Sequence, residues 1–119
     1  MQDFRKLKVW NRAHELALEV YALTRDFPKE ERYGLRSQLR GSSSSIGMNL
    51  AEGCGRNGDK ELARFLHFAM GSASELEYQL LLSHDLGLLE KNQYPHLQAK
   101  VGEVKKMLAS LLRKLRADS

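Results

Sequence analysis

A run of side chains near the C-terminus recurs in alternating steps of three and four: Tyr94, Leu97, Val101, Val104, Leu108, Leu111 and Leu115. Residues so spaced share one face only on a helix, and a helix with a single apolar face must bury it against other elements. Met107 and Leu112 widen this seam. Three more segments repeat the pattern. One runs Leu62, Phe65, Ala69, Ser72, Leu76, Leu80 and Ser83; another runs Leu35, Leu39, Ser42, Ile46, Asn49 or Leu50, and Gly53. The first runs Trp10, Ala13, Ala17, Val20, Thr24 and Phe27, with Val9, Leu16 and Leu23 alongside. No stretch of comparable length alternates with period two, so strands find no support. The expectation is an all-α fold: one domain over residues 1–119, an antiparallel up-down-up-down four-helix bundle with helices near 5–26, 29–56, 59–86 and 92–116.

Punctuation between the seams agrees with that division. Phe27-Pro28 should end the first helix, because the residue before proline disfavours the α region. Glu30 and Glu31 then suit a helix start, where the macrodipole favours carboxylates. Gly55-Arg56-Asn57-Gly58-Asp59 marks the second break, with Asn57 or Asp59 available as N-cap. Gly87 fits the left-handed position after the third helix, and Pro95 the first turn of the fourth.

Gly41-Ser42-Ser43-Ser44-Ser45-Ile46-Gly47 stands apart. By composition it is a linker, since each glycine costs about 1 kcal/mol against alanine in a helix. By register it is helix, because Leu35, Leu39, Ile46 and Leu50 keep their spacing across it. Small side chains would then let a neighbour approach closely. The matching patch is Ala69 to Ser74, with positions 42–45 and 70–73 at similar heights in an antiparallel pair turning near residue 57.

Chemistry is sparse. None of the ten glutamates is followed three residues later by histidine, which removes the di-iron bundle pattern. His14-Glu15 lacks the second histidine of a zinc protease, since position 18 is leucine. Ser83-His84-Asp85 are consecutive, so a helix points their side chains about 100° apart. Gly53 to Gly58 has glycines but neither the Gly-Lys-Ser/Thr ending nor the strand of a phosphate loop. Arg56 stands near Cys54, where it would favour a thiolate; a small buried thiol is the alternative. The expectation is a binding protein without metal or cofactor, and not an enzyme. The lone Cys54 is compatible with a reducing compartment. No apolar run is long enough to span a membrane, and Met1 to Lys6 leads into no secretory segment, so the expected location is cytoplasmic.

Charge gives a sharper clue. Residues 1–40 carry nine Lys/Arg against six Asp/Glu, residues 41–90 three against seven, and residues 91–119 seven against two. Basic ends around an acidic middle suggest a surface for a polyanion; ordinary solvated lysine and arginine are the alternative. Arg32, Arg36 and Arg40 follow i, i+4 spacing and should form one stripe on the second helix. Arg5, Lys6, Lys8 and Arg12 cluster near the first helix start, where cations oppose the macrodipole. Lys105, Lys106, Arg113 and Lys114 lie on the fourth helix, with Lys106 and Arg113 one heptad apart on its outward face. Trp10, Tyr21, Tyr33, Tyr78 and Tyr94 are available to stack on unpaired bases, although Trp10 and Tyr94 fall on core seams. Asn49, Glu52 and Arg56 share one side of the second helix and should form a structural polar group, with Glu52 held by charge-assisted hydrogen bonds. Met107, Leu112, Val9, Leu16 and Leu23 flank the seams; one bundle should leave them partly uncovered for a second copy to bury.

Several blocks together carry a resemblance. Phe4-x-x-Leu7-x-Val9-Trp10 opens the chain, followed by Phe27-Pro28-x-x-Glu31-x-Tyr33-Gly34-Leu35 and Gln38-Leu39-Arg40. Then come Asn49-Leu50-Ala51-Glu52-Gly53-x-Gly55-Arg56, Phe65-Leu66-x-x-Ala69-x-Gly71-Ser72-x-x-Glu75 and Asp85-Leu86-Gly87. Across nearly its whole length the chain resembles the bacterial four-helix-bundle family of 23S rRNA intervening-sequence proteins, to which the accessory protein of diversity-generating retroelements is similar. The resemblance implies a ring-like homopentamer with nucleic acid, RNA in particular, as ligand. It also admits a scaffold role for a protein partner such as a reverse transcriptase, without direct RNA binding. Relatives usually carry alanine or larger residues and a second basic residue after the Leu39-Arg40 pair; here Gly41 and four serines follow.

Overall fold

A computed structural model describes residues 2–118. Four helices form: α1 (Lys8–Thr24), α2 (Leu35–Gly55), α3 (Asp59–Asp85) and α4 (Gln93–Ala117). Short 3-10 turns at Phe4–Lys6 and Lys29–Glu31 precede α1 and α2. Each helix packs on its neighbours in sequence, and α1 also packs on α4, which closes a four-helix bundle measuring 46 × 22 × 19 Å. The centre is aliphatic: Leu16, Val20, Leu39, Ile46, Leu50, Leu66, Leu76, Leu80, Leu97, Val101, Val104 and Leu108 are all fully buried.

Two helices begin later than the periodicity suggests. Asp3 accepts the Arg5 backbone N–H at 3.0 Å and closes a separate 3-10 turn; extended Leu7 then breaks the chain before α1. Residues 29–34 likewise stay outside α2. The Glu31 carboxylate accepts the Leu35 N–H at 3.2 Å, taking one of the unpaired donors of that helix start. A Cβ on Gly34 would lie 2.8 Å from this same Glu31 oxygen, so glycine leaves the cap its space. The first helix ends at Thr24, ahead of Phe27-Pro28, and buried Phe27 plugs the turn.

At the α2–α3 turn neither Asn57 nor Asp59 caps. Gly58 takes the cap position at φ +86°, and Asp59 is instead the first residue of α3, with Glu61 in its first turn. Gly87 behaves as expected. At φ +76° it lets its own N–H reach the His84 carbonyl at 3.0 Å and the Leu88 N–H reach the Ser83 carbonyl at 2.9 Å, a Schellman ending.

The glycine-serine segment is continuous helix. Its hydroxyls turn back on the preceding turn, Ser44 donating to the Arg40 carbonyl at 2.8 Å. Others reach α3: the Ser42 hydroxyl donates to Gln79 Oε1 at 2.5 Å, and Ser72 donates to Ser45 at 3.0 Å. A close α2–α3 approach lies nearer the turn, at Gly53, where an added Cβ would meet Phe65 Cβ at 2.9 Å. Gly41 faces open space.

The flanks expected to stay uncovered are mostly consumed by the protomer itself. Val9, Leu16 and Leu112 are buried, while Leu23 and Met107 pack partly buried against the core. A bundle helix buries a stripe wider than a strict two-position seam, so these flanking positions belong inside. The exposed large apolar side chains are others: Leu18, Tyr21 and Met48 on one side, Phe68, Tyr78 and Leu81 along α3, and Tyr33 and Leu86 in the connecting segments.

Candidate nucleic-acid interface

Antiparallel packing of α1 on α4 gives their charged residues a definite register. Arg12 Nε lies 3.3 Å from Glu103, and Glu19 contacts both His96 Nε2 at 2.8 Å and Lys100 Nζ at 3.2 Å. By that register Lys8 stands level with Met107, so the N-terminal and C-terminal basic segments meet at one end of the bundle. Gln2 donating its backbone N–H to the Cys54 carbonyl at 3.0 Å fixes the chain start at this end.

Along the α1/α4 face the charges divide in two. Toward Thr24 they neutralise one another. Glu19 is stapled as above and Arg12 also approaches Glu15 at 3.8 Å; Lys105, level with Trp10 but on the α3 side of α4, reaches Glu77 at 3.1 Å. Toward Lys8 the cations outnumber their partners. Lys6, Lys8, Lys106, Arg113 and Lys114 are exposed, and none has an ion pair among the described residues. Arg5 stays exposed but leans on Asp3 at 3.3 Å and over the Phe4 ring at 4.6 Å. Single sequence segments show two basic clusters; the packing makes them one.

The expected arginine stripe is not a stripe. Arg32 lies before α2, exposed over the Tyr33 ring at 5.4 Å, so only Arg36 and Arg40 share the helix, both half-buried. Arg40 is a strut. Its Nε donates to buried Thr24 Oγ1 at 2.8 Å, its Nη2 donates to the Tyr21 carbonyl at 3.0 Å, and its plane covers the Tyr21 ring at 4.7 Å. These bonds satisfy groups at the C-terminal end of α1, where a cation complements the dipole. Arg40→Ala should therefore lower stability by about 1–2 kcal/mol in urea denaturation while leaving nucleic-acid affinity unchanged. A weakened affinity in a fully folded variant would return Arg40 to the interface.

The structural polar group also separates. Asn49 donates to the Ser45 carbonyl at 2.9 Å and to the Ser45 hydroxyl at 3.0 Å, inside the α2/α3 contact. Glu52 and Arg56 pair with each other at 2.8 Å but stand about half exposed, so in the protomer they are no buried block. Position 49 faces α3 while position 52 is rotated round to solvent; the i, i+4 spacing of 52 and 56 ensures their contact, not their burial. Burial of Cys54, helped by the Asp3 carboxylate, pushes its thiol up, against the lowering that Arg56 would have caused. The four histidines gather no ligand set, and no group of three or more His, Cys, Asp or Glu able to hold a metal occurs among the described residues.

Glu19 titrates with a consequence for stability. Burial raises its pKa, but the hydrogen bonds and charges of His96 and Lys100 outweigh that, and the carboxyl sits below its ordinary value of 4.5. A carboxyl lowered on folding stabilises above its unfolded value and loses that contribution as pH falls through the folded one. The melting temperature should thus drop as pH falls below about 4.5, and Glu19→Gln should flatten that part of the profile. Identical profiles for both proteins would mean that the α1–α4 staple contributes nothing.

Sequence periodicity also missed a groove of about 340 Å³ between α1 and α2, which only the packing creates. Trp10, His14, Leu18 and Tyr21 line it from α1; Ser44, Gly47 and Met48 line it from α2. No helix among the described residues is long and apolar enough to cross a membrane.

Comparison with known proteins agrees with this architecture. No protein of curated function matches the sequence. A protein with unknown function from the S23 ribosomal protein family of Bacteroides thetaiotaomicron, known from its crystal structure, superposes with a TM-score of 0.82 at 24% identity. The match covers 88% of this chain and 95% of that one, and it shows a shared fold. The family model described as 23S rRNA-intervening sequence protein matches residues 5–110. The chain belongs to this family of 23S rRNA-intervening sequence proteins.

Proposed function

We propose that the protein is a cytoplasmic, homo-oligomeric accessory protein that binds RNA through phosphate contacts and acts by binding, not by catalysis. One observation carries this: Lys6, Lys8, Lys106, Arg113 and Lys114 gather at one end of the bundle with no ion pair among the described residues, while the remaining charges of that face are paired. A cluster of cations that the fold does not use for its own stability suits a polyanion. The family description, with its reference to 23S rRNA, favours RNA as that polyanion. Contacts of lysine and arginine to phosphate carry little sequence information, so binding should be salt-sensitive and weakly sequence-dependent.

Self-association is supported by exposed apolar side chains along α3, where Phe68, Tyr78 and Leu81 are 46%, 62% and 39% exposed. Cyclic assembly, five copies preferred, would repeat the basic end around the axis and convert a net charge of +4 per chain into a positive belt. Titrating structured and single-stranded RNA at two salt concentrations, with light scattering of the same samples, tests both parts. Steep salt-dependent binding and a mass above that of the monomer are expected. Absent or salt-independent binding would remove RNA and leave the protein-scaffold role; a monomer mass at micromolar concentration would remove assembly.

A further inference from the structure

The α1/α2 groove combines apolar walls with a particular set of polar groups. Trp10 and His14, one turn apart on α1, stack with ring centroids 4.9 Å apart and planes within 7°. Phe4 packs edge-on against Trp10 at 4.8 Å, and Arg5 covers Phe4 at 4.6 Å, so the ladder begins with a cation and ends in the exposed His14 ring. Roughly 16 Å along α1, Tyr21 closes the other end under the Arg40 guanidinium. Gly47 supplies no side chain opposite Trp10; a Cβ there would lie 3.4 Å from the indole nitrogen. The indole N–H has no hydrogen-bond partner among the described residues. No carboxylate lines the groove.

We propose that this groove takes an unstacked nucleobase of single-stranded RNA, stacked on the exposed face of His14, with a flanking phosphate at the Arg5 end. The proposal rests on the RNA-binding role above and places a base where that role specifies only phosphates. Planar aromatic platforms beside cations are how single strands are held without strong sequence preference. An acid-free groove with Arg5 near one end admits the phosphate beside such a base.

Trp10 is the chain's one tryptophan, so its emission reports on this groove alone. The full-length protein would be titrated with a single-stranded RNA hexamer and with the same hexamer made abasic at its two central positions. Quenching of Trp10 emission and about tenfold tighter binding of the base-bearing hexamer are expected. His14→Ala should erase that preference while leaving affinity for the abasic hexamer and the circular dichroism unchanged; Met48→Glu, on the opposite lip, should do likewise. Equal affinity of both hexamers without quenching would overturn the groove and leave phosphate binding standing. Binding of neither hexamer would overturn RNA binding itself. A change of oligomer mass in His14→Ala or Met48→Glu would assign the groove to a second copy of the chain and overturn the proposal.

Discussion

Alanine at position 53 should destabilise the fold by about 1–3 kcal/mol in equilibrium urea unfolding, although alanine is the better helix former by about 1 kcal/mol. The reason is local. A Cβ at Gly53 would meet Phe65 Cβ at 2.9 Å and Leu62 Cδ1 at 3.1 Å. The leucine methyl can rotate away; Phe65 Cβ is fixed to its backbone, so α2 and α3 must separate at this close approach. Separation opens space beside Leu50 and Leu66, both fully buried, and weakens their packing. Gly41 is the internal comparison, since an added Cβ there meets nothing within 4 Å. Gly41→Ala should raise stability by about 0.5–1 kcal/mol. If both substitutions stabilised equally, the α2–α3 contact would be compliant at Gly53 and the close approach would carry no energy.

The second large effect concerns binding. Removing Lys8, Lys106, Arg113 and Lys114 together should flatten the dependence of log affinity on log salt by about 3 for single-stranded RNA, at roughly 0.7 for each phosphate no longer neutralised. Between 50 and 200 mM salt that slope corresponds to about fifty-fold in affinity. Far-ultraviolet circular dichroism and melting should stay close to wild type, because all four side chains are exposed and lack ion pairs among the described residues. Removing Arg12, Lys105 and Arg40 instead gives the contrasting outcome. Those three hold Glu103, Glu77 and Thr24 respectively, so stability should fall while the salt slope holds. A quadruple variant with an unchanged slope would disconnect the basic end from RNA.

The seams of Leu97, Val101, Val104 and Leu108, and of Leu16, Val20, Leu39 and Leu50, were legible because burial in a bundle follows helical period alone. The strict seven-residue pattern drifts where the helix keeps its own 3.6-residue turn. Leu112 is therefore buried, while Leu111, placed on the seam by the pattern, is only partly so. Helix starts were less legible. The caps of α2 and α3 come from Glu31, four residues outside its helix, and from a positive-φ Gly58; neither is the serine-or-aspartate signal that local spacing reveals. The basic residues could be found in the sequence, but their roles could not. Lys106 and Lys105 are neighbours of identical chemistry, yet one faces solvent and the other Glu77, a difference set by the rotation of α4 against α3. The groove beside Trp10 had no signal of its own, since its walls come from two helices and exist only once these pack.

Helix α2 is held by its neighbours more than by its own residues. Gly41, Gly47, Gly53, Gly55 and the four serines give it little intrinsic tendency to coil, and its hydroxyls find partners on α3. During synthesis it leaves the ribosome before α3 exists. The growing chain should therefore carry α2 without its full set of partners until roughly the first 80 residues are out, when Ser42 can meet Gln79. Ribosome-stalled fragments ending before residue 70 should remain open to protease throughout α2, and structure there should arrive together with α3.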